Sequence, residues 1–122
     1  MSALMDMFKG IGERLFECFG LSSLISEEIQ KGWTILDAGC GRSSPLAGLY
    51  VDSFRVGLDS YAPYIINREE KHVHHFYVIG DVKALPFRDR TFDCTVATEV
   101  LEHLSRPDGQ AMLREIERVT RG

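Results

Sequence analysis

From Trp33 onward, short apolar runs recur about every 20 residues, each followed by a polar or glycine-containing turn and then a segment that suits a helix. The runs are WTILDA (33–38), FRVGLD (54–59), HHFYVI (74–79) and FDCTVAT (92–98). Between them SPLAGLY and APYIINREE are compatible with helices, and PDGQAMLREIERVT at the end predicts a strong one. There Pro107 suits a first helical turn, Met112, Leu113, Ile116 and Val119 form the apolar face, and Gly122 is a natural stop. Strands that alternate with helices pair in parallel through right-handed crossovers, so the pattern predicts an α/β fold with a doubly wound parallel sheet.

Residues 1–32 read differently. Leu4, Phe8, Ile11, Leu15 and Phe19 fall at helical spacing, interrupted by Gly10 and Gly12. A second short helix is expected from Ser22 or Ser23, which suit N-caps, with Leu24, Ile25 and Ile29 buried and Gly32 as its end. The expected organisation is thus a helical preface over 1–32 and one α/β domain over 33–122. No apolar run nears the roughly 18 residues of a membrane span, and charges at Asp6, Lys9, Glu13 and Arg14 break any signal-peptide core. A net charge of -4 with scattered basic residues argues against nucleic acid as a partner. Three widely spaced cysteines without a CxxC suggest neither disulfides nor a zinc site, and suit a reducing, cytoplasmic location.

In open parallel sheets, ligands bind beyond the carboxyl ends of the strands. The first strand ends in Asp37-Ala38-Gly39-Cys40-Gly41, where glycines let a ligand approach the backbone at the start of the next segment. Eighteen residues past Gly41 the second strand ends in Asp59, placed to accept both hydroxyls of a ribose. A dinucleotide fingerprint wants a third glycine where Ser44 stands, and no carboxylate just before the loop, where Asp37 stands. A carboxylate there repels pyrophosphate and attracts a sulfonium or ammonium, by about 4 kcal/mol at 4 Å and an effective dielectric near 20, before desolvation. The residues favour a cationic nucleoside-like ligand.

As a set, WTILDAGCGRSSPLA, VGLDS, GDVKALPFRDRTFD and TEVLEHLSRP resemble motifs one to four of the class I S-adenosylmethionine-dependent methyltransferases, particularly the small-molecule branch similar to ubiquinone and menaquinone biosynthesis enzymes. The resemblance covers residues 33–122. It implies a Rossmann-like sheet with strand order 3-2-1-4 and S-adenosyl-L-methionine as cofactor. It further implies that Asp37, Gly39, Cys40 and Gly41 surround the methionyl part, and that Asp59 binds the ribose with Ser60 and Tyr61 beside it. Asp81 would accept from the adenine amino group, the Val82 backbone would meet the ring, and Glu99 would sit near the methionyl end. In that family the helical preface often forms a lid over the cofactor. The implied partner is a small-molecule methyl acceptor.

Methyl transfer from a sulfonium is an in-line displacement, so positioning carries most of the catalysis. Where the acceptor must lose a proton, the candidate base is His103, four residues after Glu99 and on the same face of a helix that begins early enough. Plainer readings stand beside these. Cys40 has some thiolate character at a helix start but no visible base, and reads as a small spacer, while Cys18 and Cys94 read as core. His72, His74 and His75 read as a solvated strand edge, because alternate strand residues cannot all converge on one metal. Glu99, Glu102 and His103 do not match HExxH, so no metal is expected.

The resembled fold has seven strands and this sequence offers four. The expectation is a truncated form whose fourth strand presents an open apolar edge and self-associates as a homodimer through it. A nicotinamide-dependent oxidoreductase, or a non-catalytic cofactor-binding module, remain the competing functions.

Overall fold

The computed structural model describes residues 25–49, 51–69, 72–98 and 100–122. The expected helix over 2–19, the caps at Ser22 or Ser23, Cys18 and Glu99 lie outside the described residues.

Four parallel strands, β1 (Thr34–Ala38), β2 (Phe54–Asp59), β3 (Phe76–Ile79) and β4 (Cys94–Val96), form one sheet in the order β3-β2-β1-β4. Among the described residues after β1, two α-helices, α1 (Ala62–Ile66) and α2 (Arg106–Val119), and two 3-10 turns, Pro45–Gly48 and Leu101–His103, connect or follow the strands, and residues 25–28 before β1 are also helical. The strand order is the predicted one. Successive side chains of a strand leave opposite faces, and the core divides accordingly. Ile35, Cys94 and Val96 pack on one face with Ile25, Ile29, Leu46 and Leu49, while Leu36, Ala38, Val56 and Leu58 pack on the other with Phe92, Met112, Ile116 and Val119 of the α2 side.

The closing helix follows its sequence signals. Ser105 caps it by accepting the Asp108 amide at 3.3 Å, Pro107 lies in the first turn, and Met112, Ile116 and Val119 are buried at helical spacing. SPLAGLY, by contrast, makes only the 3-10 turn Pro45–Gly48. Arg55 on β2 explains the difference. Its guanidinium donates to the carbonyls of Leu46, Leu49 and Val51 at 3.2–3.4 Å, which are oxygens that a continuing α-helix would spend on its own amides.

The β4 edge, expected to be open, is engaged at its start by the chain itself. Phe92 donates to the Val119 carbonyl at 2.9 Å, Arg121 donates to the Phe92 carbonyl at 2.8 Å, and Phe92 and Thr120 form a parallel bridge. The hydroxyls of Thr95 and Thr120 meet at 2.7 Å. Among the described residues no helix is long and apolar enough to cross a membrane.

Candidate functional site

A cleft of about 560 Å³ opens at the carboxyl ends of the strands, within the usual range of small-molecule sites. Its wall begins with the loop after β1. Gly39 and Gly41 have φ of +76° and +58°, a region that side-chain-bearing residues avoid. A Cβ at Gly39 would also stand 2.3 Å from Val100 Cγ2. The amides of Gly39 and Cys40 donate to the Leu58 carbonyl at 2.7 and 2.9 Å, so the loop is tied to the end of β2.

Asp59 ends β2 and lines the cleft. Its Oδ2 accepts the Gly41 amide and its Oδ1 the Tyr61 amide, each at 2.9 Å. An ionised carboxylate offers about four lone-pair positions, so two remain for a vicinal pair of hydroxyls. Asp81, beyond β3, accepts the Lys83 amide at 2.9 Å, and the Lys83 ammonium stands 3.7 Å from Asp81 and 3.7 Å from Asp108. These exposed pairs contribute little stability but set the charge at the mouth of the cleft.

Of the residues singled out in the sequence, Gly39, Gly41, Asp59, Ser60, Asp81, Val82 and His103 line this cleft. Tyr61 lines an adjoining cavity, where its ring meets Tyr64 edge-on at 4.7 Å between centroids. Asp37 and Cys40 are buried and outside the lining. Asp37 Oδ2 accepts the Ser44 hydroxyl and lies 2.8 Å from His74 Nε2, while Oδ1 is buried with no partner among the described residues. Ser44, standing where a dinucleotide loop has glycine, therefore turns its side chain inward.

Three local expectations are corrected. Burial, reinforced by the charge of Asp37, pushes the Cys40 thiol up to about 12, so it carries no thiolate character at neutral pH. His74 is 4% exposed and bonded on both ring nitrogens, not part of a solvated edge. Helix α2 begins at Arg106, so His103 lies on the preceding 3-10 turn and shares no α-helical face with position 99. The His103 side chain is exposed, 3.8 Å from the Glu102 carboxylate. Among the described residues no group of three or more His, Cys, Asp or Glu is placed to hold a metal.

Sequence reasoning missed Arg42, Ser43, Tyr64, Lys83, Thr98, Val100 and Leu104 in the lining. Lys83 had a signal, two residues beyond Asp81. Val100 had none, because its role is to fill the space that Gly39 leaves.

Comparison with known proteins agrees with this geometry. The methyltransferase domain family matches residues 36–122. A malonyl-[acyl-carrier protein] O-methyltransferase of Erwinia billingiae is 32% identical over 112 residues, which is 83% of this chain and 42% of that protein. A tRNA (carboxymethyluridine(34)-5-O)-methyltransferase of Arabidopsis thaliana is 35% identical over 79 residues, 65% of this chain and 19% of the relative. The crystal structure of the [4+2]-cyclase SpnF superposes with a TM-score of 0.70 at 24% identity, over 83% of this chain and 40% of that one. The chain thus spans less than half the length of each of these proteins. With the family match running from the middle of β1 to the last residue and the strand order the motifs imply, the chain belongs to the class I S-adenosylmethionine-dependent methyltransferases.

Proposed function

We propose that this chain forms the cofactor-binding part of a methyltransferase that uses S-adenosyl-L-methionine and methylates a small-molecule acceptor. The observation that carries the reading is Asp59: a carboxylate at the end of β2, inside the cleft, tied to the glycine loop through one oxygen and still able to accept two hydroxyls. Asp81 and Val82 line the same cleft, which supports the reading that they meet the adenine, and the lining glycines support the reading that the methionyl part lies along the loop. The buried Asp37 carboxylate behind that loop puts negative charge beneath it, which suits a cationic ligand better than a pyrophosphate.

When bound, the cofactor supplies an electrophilic methyl group on a sulfonium. The chain's own part is to bind, to orient and, for acceptors that must lose a proton, to take it. His103 Nε2, exposed at the rim of the cleft, is the candidate for that proton. The inward-turned Ser44 and the absent third glycine argue against a nicotinamide dinucleotide. Reduced, unpaired Cys40 and Cys94 suit a cytoplasmic location.

Thermal unfolding with S-adenosylhomocysteine and, separately, with NAD tests the reading. At a hundredfold excess over Kd a bound ligand adds about 2.7 kcal/mol of stability. The expected outcome is a rise in Tm with S-adenosylhomocysteine alone. A rise with NAD alone overturns it.

A further inference from the structure

The register of the sheet sets Asp37 on β1, Gly57 on β2 and Tyr77 on β3 side by side, with Val96 on β4 beyond Asp37. Residues in such a row leave the same face of the sheet. Asp37 in this row is fully buried, at a depth where apolar side chains are the norm. His74, just before β3, lays its imidazole across β2, and a Cβ at Gly57 would come within 3.1 Å of the His74 ring and of the Tyr77 ring. Glycine at 57 is what lets the imidazole span from β3 to β1. There Nε2 lies 2.8 Å from Asp37 Oδ2, and Nδ1 lies 3.1 Å from the Tyr77 hydroxyl.

Both ends of this network return to the glycine loop. At one end Asp37 Oδ2 accepts the Ser44 hydroxyl, whose oxygen in turn accepts the Leu46 amide at 3.1 Å. At the other, the Arg68 guanidinium sits 5.0 Å above the Tyr77 ring and donates to the Gly41 carbonyl. An apolar group of similar volume would hold the strands together as well as a buried Asp and His do, without their desolvation penalty. It would not turn the single proton of Ser44 inward, nor fix the far end of the loop.

We propose that His74 is a positioning residue for the cofactor loop: acting through Asp37, and across the gap left by Gly57, it holds residues 41–44 in the shape that receives the ligand. The inference rests on the methyltransferase reading above and extends it to a residue that does not touch the ligand.

Titration calorimetry with S-adenosylhomocysteine on the wild type, His74→Gln and His74→Leu tests it, at a temperature where circular dichroism shows each folded. Gln can put its amide nitrogen near the place of Nε2 and keep a donor to Asp37, whereas Leu fills the space without one. The expected result is affinity within about threefold for His74→Gln and a loss of about tenfold or more for His74→Leu, the size set by one hydrogen bond to a charged group. Unchanged affinity in folded His74→Leu, or an equal loss in both variants, overturns the proposal. If His74→Leu does not fold, the wild type decides: coupling is reciprocal, so saturating S-adenosylhomocysteine must slow solvent exchange of the His74 Nε2 proton in NMR. Unchanged exchange overturns it. A wild type that binds no S-adenosylhomocysteine overturns the methyltransferase reading together with this one. Binding that is intact in the wild type and in His74→Leu overturns this one alone.

Discussion

Asp59 accepts the Gly41 amide at 2.9 Å across 18 residues of sequence, so the carboxylate assigned to the ribose also holds the loop assigned to the methionyl part. Loss of this side chain therefore acts twice. Asp59→Ala is expected to weaken S-adenosylhomocysteine binding on the order of a hundredfold, about two hydrogen bonds to a charged acceptor, and to lower Tm as well. A 2′-deoxyribose analogue of the ligand separates the two effects. It binds the wild type more weakly than the parent compound, whereas in Asp59→Ala the two ligands bind alike. A variant that still discriminates them shows that another group holds the hydroxyl.

Gly39 is constrained by both backbone and space, with φ at +76° and Val100 Cγ2 only 2.3 Å from where an alanine methyl would stand. Gly39→Ala is expected to cost about 1–3 kcal/mol, read as a Tm drop of roughly 5 °C or more. Adding Val100→Ala removes the collision and leaves the backbone strain, so the double variant recovers part of the loss. Full recovery would mean that the backbone angle carries no penalty, and no recovery that the contact carries none.

Burial pushes the thiols of both Cys40 and Cys94 up to about 12, with Asp37 and Asp93 respectively adding to the effect. Relative to an ordinary thiol near 8.5, roughly a thousandfold fewer thiolates are present at pH 8. In a Cys18→Ser variant, iodoacetamide at pH 8 should label neither cysteine in the native protein and both in denaturant. The folded state holds these protons more tightly than the unfolded one. Their contribution to stability is therefore full below about pH 8.5 and declines as pH climbs toward 12. Rapid native labelling of Cys40 would contradict its burial.

What the sequence made legible follows from one physical constraint. A parallel strand buried on both faces must be a short apolar run, and the crossover to the next strand must be long enough to return, so WTILDA, FRVGLD and FDCTVAT announce β1, β2 and β4 directly. That Asp59 and Asp81 line the cleft was legible for the same reason, because the cleft of such a sheet opens beyond its strand ends. What stayed hidden depends on register. Nothing near Gly57 in the chain says that an imidazole 17 positions later crosses it, and only the pairing of Asp37 with Gly57 and of Gly57 with Tyr77 brings His74 to Asp37. The missing helix at SPLAGLY is hidden likewise, since the Arg55 that takes its carbonyls lies on another strand.

The termini of β1, β4 and α2 are joined by carboxylates whose charge matters at low pH. Asp93 accepts the Thr34 amide at 2.8 Å, and this hydrogen bond, aided by Arg121, holds its carboxyl below the usual range. Glu115 is held low first by its hydrogen bonds from Arg118 and then by the Leu85 amide at 2.9 Å. In each case the folded state binds its proton less readily than the unfolded chain, so stability rises with pH until the unfolded carboxylates are ionised. Both contributions are complete above about pH 5 and are lost as pH falls through about 4 and below. Melting curves at pH 7, 5, 4 and 3 should show little change between the first two and a falling Tm thereafter. In Asp93→Asn/Glu115→Gln the protein is less stable at pH 7, and its Tm falls less between pH 5 and 3. An acid limb as steep as that of the wild type would show that Asp93 and Glu115 do not carry it.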